Sequence, residues 1–136
     1  MIRLFMLACL CAGFLTTRVL ANPEQVQAAH QSHVLHWMET LEKHPLVLIR
    51  ANAARFLGDL QDRVAVPTLV RALQDSNQEV LLQAARALGK LGDATAIKPL
   101  YEMGSKYKGN DLERVARGSV EKIRSYLKFK RDQRKR

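Results

Sequence analysis

The chain has 136 residues, 47% of them hydrophobic, with seven glycines and four prolines; this is enough for one packed domain and excludes a low-complexity chain. The formal net charge is +9, unevenly placed: residues 22–105 carry eight basic and nine acidic side chains, and residues 106–136 carry twelve and four. The excess of positive charge therefore sits at one end and points to an electrostatic contact there.

Residues 1–21 open with Met1, Ile2 and Arg3 and continue as an uncharged apolar run from Leu4 to Leu15. That run is about 12 residues long, too short for a bilayer, which takes roughly 20. With Val19 and Ala21 at the positions read by signal peptidase, the segment is expected to be a secretory signal cut after Ala21, leaving a periplasmic or secreted chain. A buried N-terminal helix and a lipoprotein acylated at Cys9 are the alternatives. Cys9 and Cys11 would depart with the signal, so the mature chain would have no thiol for a disulfide or for catalysis.

The first mature helix is expected over 24–43. Val26, Ala29, Val34, Trp37, Met38 and Leu41 form its apolar stripe, and His30, His33 and His36 follow one another at intervals of three. Each such step turns the helix by about 60°, so only neighbouring pairs could share an ion, and neither cysteine nor a fixed carboxylate completes a set of four ligands. Metal and cofactor binding are therefore not expected, and Trp37 is read as a core residue capping the domain.

Helices are expected next over 46–60, 63–74, 77–91, 94–107 and 110–129. They are organised by a repeat: at an offset of 31, nine of the 17 residues from Ala53 to Leu69 recur between Ala84 and Leu100, where unrelated sequence would give about one. Ala53, Ala54, Arg55, Leu57, Gly58, Leu60 and Asp62 return as Ala84, Ala85, Arg86, Leu88, Gly89, Leu91 and Asp93. The alanines and glycines allow helices to approach closely, and the two aspartates stand where they can cap the next helix. Pro67 falls near the start of its helix, whereas Pro99 lies further in and should bend or delay the helix that holds it. A third copy, with one extra loop residue, has drifted and carries Glu121 where the glycine stood.

The pattern A-A-R-x-L-G-x-L-x-D, present at Ala53 to Asp62 and Ala84 to Asp93, resembles the short HEAT-like repeat of the phycobilisome-lyase type over residues 45 to about 123. The resemblance implies an all-α fold, a short α-solenoid of helical hairpins with about six helices. The expected organisation is a signal at 1–21 and a repeat domain at 22–127. Within the domain come the capping helix 24–43 and repeats at about 45–75, 76–107 and 108–127, with a disordered basic tail at 128–136 beyond it. It also implies protein binding across a helical surface.

Among candidate binding residues, Arg55 and Arg86, with Arg117 a register step away, could line the stack, although repeated arginines also serve to bond neighbouring units. In the last helix Leu112, Val115, Ala116, Ser119, Val120, Ile123, Tyr126 and Leu127 form the expected buried face. Arg114, Arg117, Lys122, Arg124 and Lys128 are left outside. The tail adds Lys130, Arg131, Arg134, Lys135 and Arg136, so that six of its nine residues are basic. No phosphate loop or nucleophile elbow is present, so neither a catalytic residue nor a small-molecule substrate is expected.

Together these features give the expectation of a non-enzymatic protein-binding or scaffold module of the periplasm or cell envelope, with a protein partner, an acidic one among the candidates. The alternatives are a polyanion binder, of nucleic acid or an anionic lipid surface, through the basic end, and a lyase-type accessory subunit.

Overall fold

A computed structural model describes residues 23–135, and within them every regular element is helical. The helices are α1 (Pro23–Lys43), α2 (Val47–Leu60), α3 (Val66–Ala72), α4 (Gln78–Leu91), α5 (Ile97–Lys106) and α6 (Asp111–Gln133). The chain divides into two compact units, Met1–Gln31 and Ser32–Arg136. In the first, the described residues 23–31 are helical and exposed. All that follows concerns the second. The expected signal segment, including Cys9 and Cys11, lies outside the described residues.

The packing follows the repeat. Helix α2 lies against α4 and α4 against α6, while α3 covers α4 and α5 covers α6. Ala53, Ala54 and Leu57 of α2, Ala84, Ala85 and Leu88 of α4, and Leu112, Val120 and Ile123 of α6 are buried in one core. Gly58 and Gly89 are the points of closest approach. A Cβ on Gly58 would stand 2.7 Å from Ala87 Cα, and one on Gly89 would stand 3.0 Å from Ser119 Cβ. The position of Ala87 and Ser119 is held in α2 by Phe56, whose ring stacks on Trp37 of α1 with centroids 4.7 Å apart. Trp37 is half-buried against the core, and Phe56 is 36% exposed. At the other end Glu121 takes the place of the glycine and is exposed, with no helix among the described residues packed on it.

Local signals place the helix ends. Asp62 Oδ1 accepts from the amide of Val64 at 3.0 Å, and Asp93 Oδ1 from that of Thr95 at 2.9 Å; each caps a 3-10 turn, Arg63–Ala65 or Ala94–Ala96, that leads into an α-helix. These turns put Pro99 at the third residue of α5, where no intrahelical amide bond is lost, so the helix is delayed and not bent. Asn77 and Asn110 cap α4 and α6 by accepting from the amides of Glu79 and Leu112, each at 2.9 Å. At the C-termini of α2 and α4 the equivalent positions are Gln61, with φ 54°, and Gly92, with φ 66°, both left-handed.

One ion pair closes the first repeat on itself. Arg50 forks onto Asp75 at 2.9 and 3.0 Å and donates to the carbonyls of His44 and Pro45 at 3.0 and 3.2 Å. Both charged side chains are 14% exposed. Burial works to raise the Asp75 carboxyl, but it is outweighed by the bond and charge of Arg50 and by the Asn77 amide, and the carboxyl lies below its ordinary value.

The basic tail differs from expectation. Helix α6 runs on through Leu127 to Gln133, so the segment from 128, expected to be disordered, is helical with every described side chain exposed. Between Gly118 and the end of the chain there is neither glycine nor proline. The lysines, arginines and glutamine are good helix formers, and cations suit a helix C-terminus.

Candidate functional site

Two surfaces gather the candidate residues. The first is the exposed side of α2 and α4. At one register in successive repeats stand Asn52 and Gln83, both half-buried, followed at the next by the exposed Arg55 and Arg86. Arg55 lies 3.6 Å from Asp59 and stacks over Phe56 at 4.5 Å, and Lys90 crosses from α4 to the same Asp59 at 2.5 Å. Arg86 forms no ion pair among the described residues. The basic line stops after two rungs, because the third position is taken by Gly118. Arg117, one residue earlier, points about 100° away around α6 and pairs with Glu113 at 2.6 Å.

The second surface is α6. Its first turns are neutralised: Arg114 pairs with Asp111 at 2.6 Å, and Glu113 also accepts the amide of Gly109 at 2.8 Å, which holds its carboxyl below the ordinary range. Leu112, Ala116, Ser119, Val120 and Ile123 are buried as expected, Val115 and Leu127 are half-buried, and Tyr126 is 44% exposed beside Gly92. Arg124 lies over the Tyr101 ring at 5.5 Å. Lys122, Lys128, Lys130, Arg131, Arg134 and Lys135 are exposed; Arg136 lies outside the described residues. The structure thus separates the paired cations Arg55, Arg114 and Arg117 from the basic end. Sequence reasoning missed the Trp37–Phe56 stack and the amide pair Asn52 and Gln83, although the offset of 31 already relates the two amides.

Of the histidines in the second unit, His33 and His36 are exposed on α1, and His44 uses Nδ1 to accept the Leu46 amide at 3.1 Å. Among the described residues no three His, Cys, Asp or Glu side chains are grouped so as to hold a metal ion.

The chain is similar to deoxyhypusine hydroxylases. It is 33% identical over 105 residues to that of Aspergillus clavatus, covering 76% of this chain and 30% of that protein. It is 34% identical over 71 residues to the human protein, covering 51% and 24%, and 40% identical over 55 residues to that of Gallus gallus, covering 39% and 18%. The chain thus spans under a third of the length of these relatives. Their names are those of an enzyme, which overturns the expectation of a non-enzymatic, secreted protein-binding scaffold and the polyanion-binding and lyase-accessory alternatives stated with it. The physical reason for the error is that the repeated alanines, leucines and glycine report helix packing, and packing is the same in a repeat that serves chemistry and in one that does not. A family model for HEAT repeats matches residues 34–120, the same helices α1 to α6 whose close approaches are described above. The chain belongs to the HEAT-repeat family.

Proposed function

We propose that this chain takes part in the enzymatic hydroxylation of deoxyhypusine, as the repeat face that holds the polypeptide being modified. One observation carries the reading: the similarity to a deoxyhypusine hydroxylase extends over 105 residues of a chain of 136, a stretch that cannot avoid the repeats. Asn52 and Gln83 stand one repeat apart and are bordered by Arg55 and Arg86; Asn52 offers an amide donor and acceptor and Gln83, whose Nε2 donates to Glu79 Oε1 at 2.6 Å, offers its amide oxygen, groups that suit an extended main chain.

Inserting oxygen into an unactivated carbon–hydrogen bond calls for a redox-active metal or an equivalent cofactor. The described residues do not fit one. His30, His33 and His36 are spaced along α1 and His44 follows it, while Asp59 and Asp75 are engaged with Lys90 and Arg50. No group of three donors forms among the described residues. Oxygen activation is therefore assigned to protein outside the described residues, and holding the substrate to the face of α2 and α4.

The test uses an extract depleted of the chain and a deoxyhypusine-bearing protein, with the gain of one oxygen atom followed by mass spectrometry. Hydroxylation falls on depletion and returns when the full chain is added back, but not with the N52A/Q83A/R86A variant. An undiminished rate in the depleted extract refutes the proposal.

A further inference from the structure

Helices α2 and α4 together carry four cations, and three of them are paired. Arg50 is held by Asp75, Arg55 by Asp59 at 3.6 Å, and Lys90 by the same Asp59. Arg86, which is exposed, has no ion pair among the described residues. The repeat shows why it is bare. Arg55 has Asp59 one turn on and the ring of Phe56 beside it. An offset of 31 turns these two into Lys90 and Ala87, so Arg86 lacks both partners and is repelled by the lysine one turn on. Glu79, Gln83, Arg86 and Lys90 fall within about 60° of one another around α4. Along that stripe Glu79 lies before Gln83 and Arg86 after it, with about 10 Å of helix between the two charges.

We propose that Arg86 sets the sequence preference of this face by binding an aspartate or glutamate side chain of the polypeptide held there. The inference rests on the reading of α2 and α4 as the face that holds the substrate main chain. Packed helices lie about 8–10 Å apart, so a main chain extended from Asn52 to Gln83 advances about three residues, at roughly 3.3 Å each. Such a chain crosses the helices, and Arg86 is displaced from it along α4 by about 5 Å, within reach of an acidic side chain standing over Gln83. A carboxylate there is drawn toward Arg86 and driven away from Glu79, so the acid points to one side of the strand. One free guanidinium fork suits one carboxylate. A phosphoryl group, with nearly two charges, would call for a second free cation, and the same register offers only Arg55, already paired, and Gly118.

Fluorescence anisotropy with the full chain tests it. The probes are labelled deoxyhypusine peptides of glycine, alanine and serine with blocked ends, in which one glutamate is stepped through about four positions on either side of the deoxyhypusine and compared with glutamine. At one position, and at neighbours on the same side of the strand, glutamate is expected to bind about three- to fivefold more tightly than glutamine, the range of an exposed ion pair. In R86Q that preference disappears and in R86E glutamine is preferred, with helicity by circular dichroism unchanged because the side chain is exposed. R117Q, whose cation on α6 is paired with Glu113, keeps the parent preference. N52A/Q83A weakens every peptide alike and leaves the preference intact. Glutamate and glutamine binding equally at every position overturns the proposal, as does an R86Q variant that keeps the preference; binding still weakened by N52A/Q83A then leaves the holding face in place without its acidic specificity. If no peptide binds the parent chain, the holding face and its specificity fall together.

Discussion

Replacing Gly58 with alanine isolates the close approach on which the packing of α2 against α4 rests. The added Cβ would stand 2.7 Å from Ala87 Cα and 2.8 Å from its Cβ, whereas carbon atoms are at their optimum about 3.5–4.0 Å apart. Since one of these atoms is main chain, relief requires the helices themselves to separate, and overpacking of this kind costs about 1–3 kcal/mol. Alanine regains about 0.8–1 kcal/mol of helix propensity, leaving a net loss of about 1 kcal/mol. Gly118 provides the reference, because a Cβ there meets nothing within 4 Å. Gly118→Ala should therefore collect the propensity alone and gain about 0.8–1 kcal/mol. Urea denaturation at constant m-value reads both changes as shifts of midpoint in opposite directions. If Gly58→Ala proves as stable as Gly118→Ala, the close approach does not hold the stack and the account of the repeated glycine is wrong.

Asp75→Asn leaves Arg50 with an uncompensated charge at a nearly buried site and should cost about 2–4 kcal/mol at neutral pH, somewhat under the figure for full burial. Because the folded carboxyl lies below its ordinary value, its stabilisation is fully present above about pH 4 and is lost as pH falls through the lower folded value; the parent and the variant should converge in stability only in acid. Phe56→Ala uncovers the Trp37 ring, so the fluorescence emission should shift to the red with a loss of about 2 kcal/mol, less than for a fully buried aromatic; unchanged emission would contradict the stack. Gln61→Gly relieves a left-handed non-glycine residue and should raise the thermal midpoint by an amount equivalent to about 0.5–1 kcal/mol. Asp93→Ala removes a cap that accepts from both the amide and the hydroxyl of Thr95 and should cost about 1 kcal/mol by chemical denaturation.

The fold was legible because its determinants are local and repeated. The apolar period, the caps Asp62 and Asp93 and the close-packing Gly58 and Gly89 each lie within one repeat and recur in the next. What escaped depends on distant partners or on context. Arg50 and Asp75 are 25 residues apart and are not repeated, since Leu81 and Lys106 stand at the corresponding positions. Trp37 was recognised as a capping residue, but its partner Phe56 replaces a small residue and was visible only as a departure from Ala87. The tail was expected to be unfolded because it has nothing to bury, yet uninterrupted helix formers carry α6 onward from a turn already nucleated on the core. The basic end was legible as charge, though not its helical arrangement. Function was least legible: the motif repeated within the chain is a packing device, and the amides Asn52 and Gln83 carry no signal until their shared register is placed on the side of α2 and α4 that holds Arg55 and Arg86.

Helical stacks of identical units have no intrinsic length, because each added unit presents the same surface as the last. Among the described residues, the two positions that make the close approach differ in the first and the last copy. The ring of Phe56, clamped by Trp37, occupies the place where an incoming glycine would have to touch, and the carboxylate of Glu121 stands where the chain would have to offer one. A further unit joined by the geometry that holds α2 to α4 would therefore meet a bulky ring at Phe56 and no glycine at Glu121, and a designer wishing to add one by that geometry would begin by making Phe56 small and Glu121 glycine.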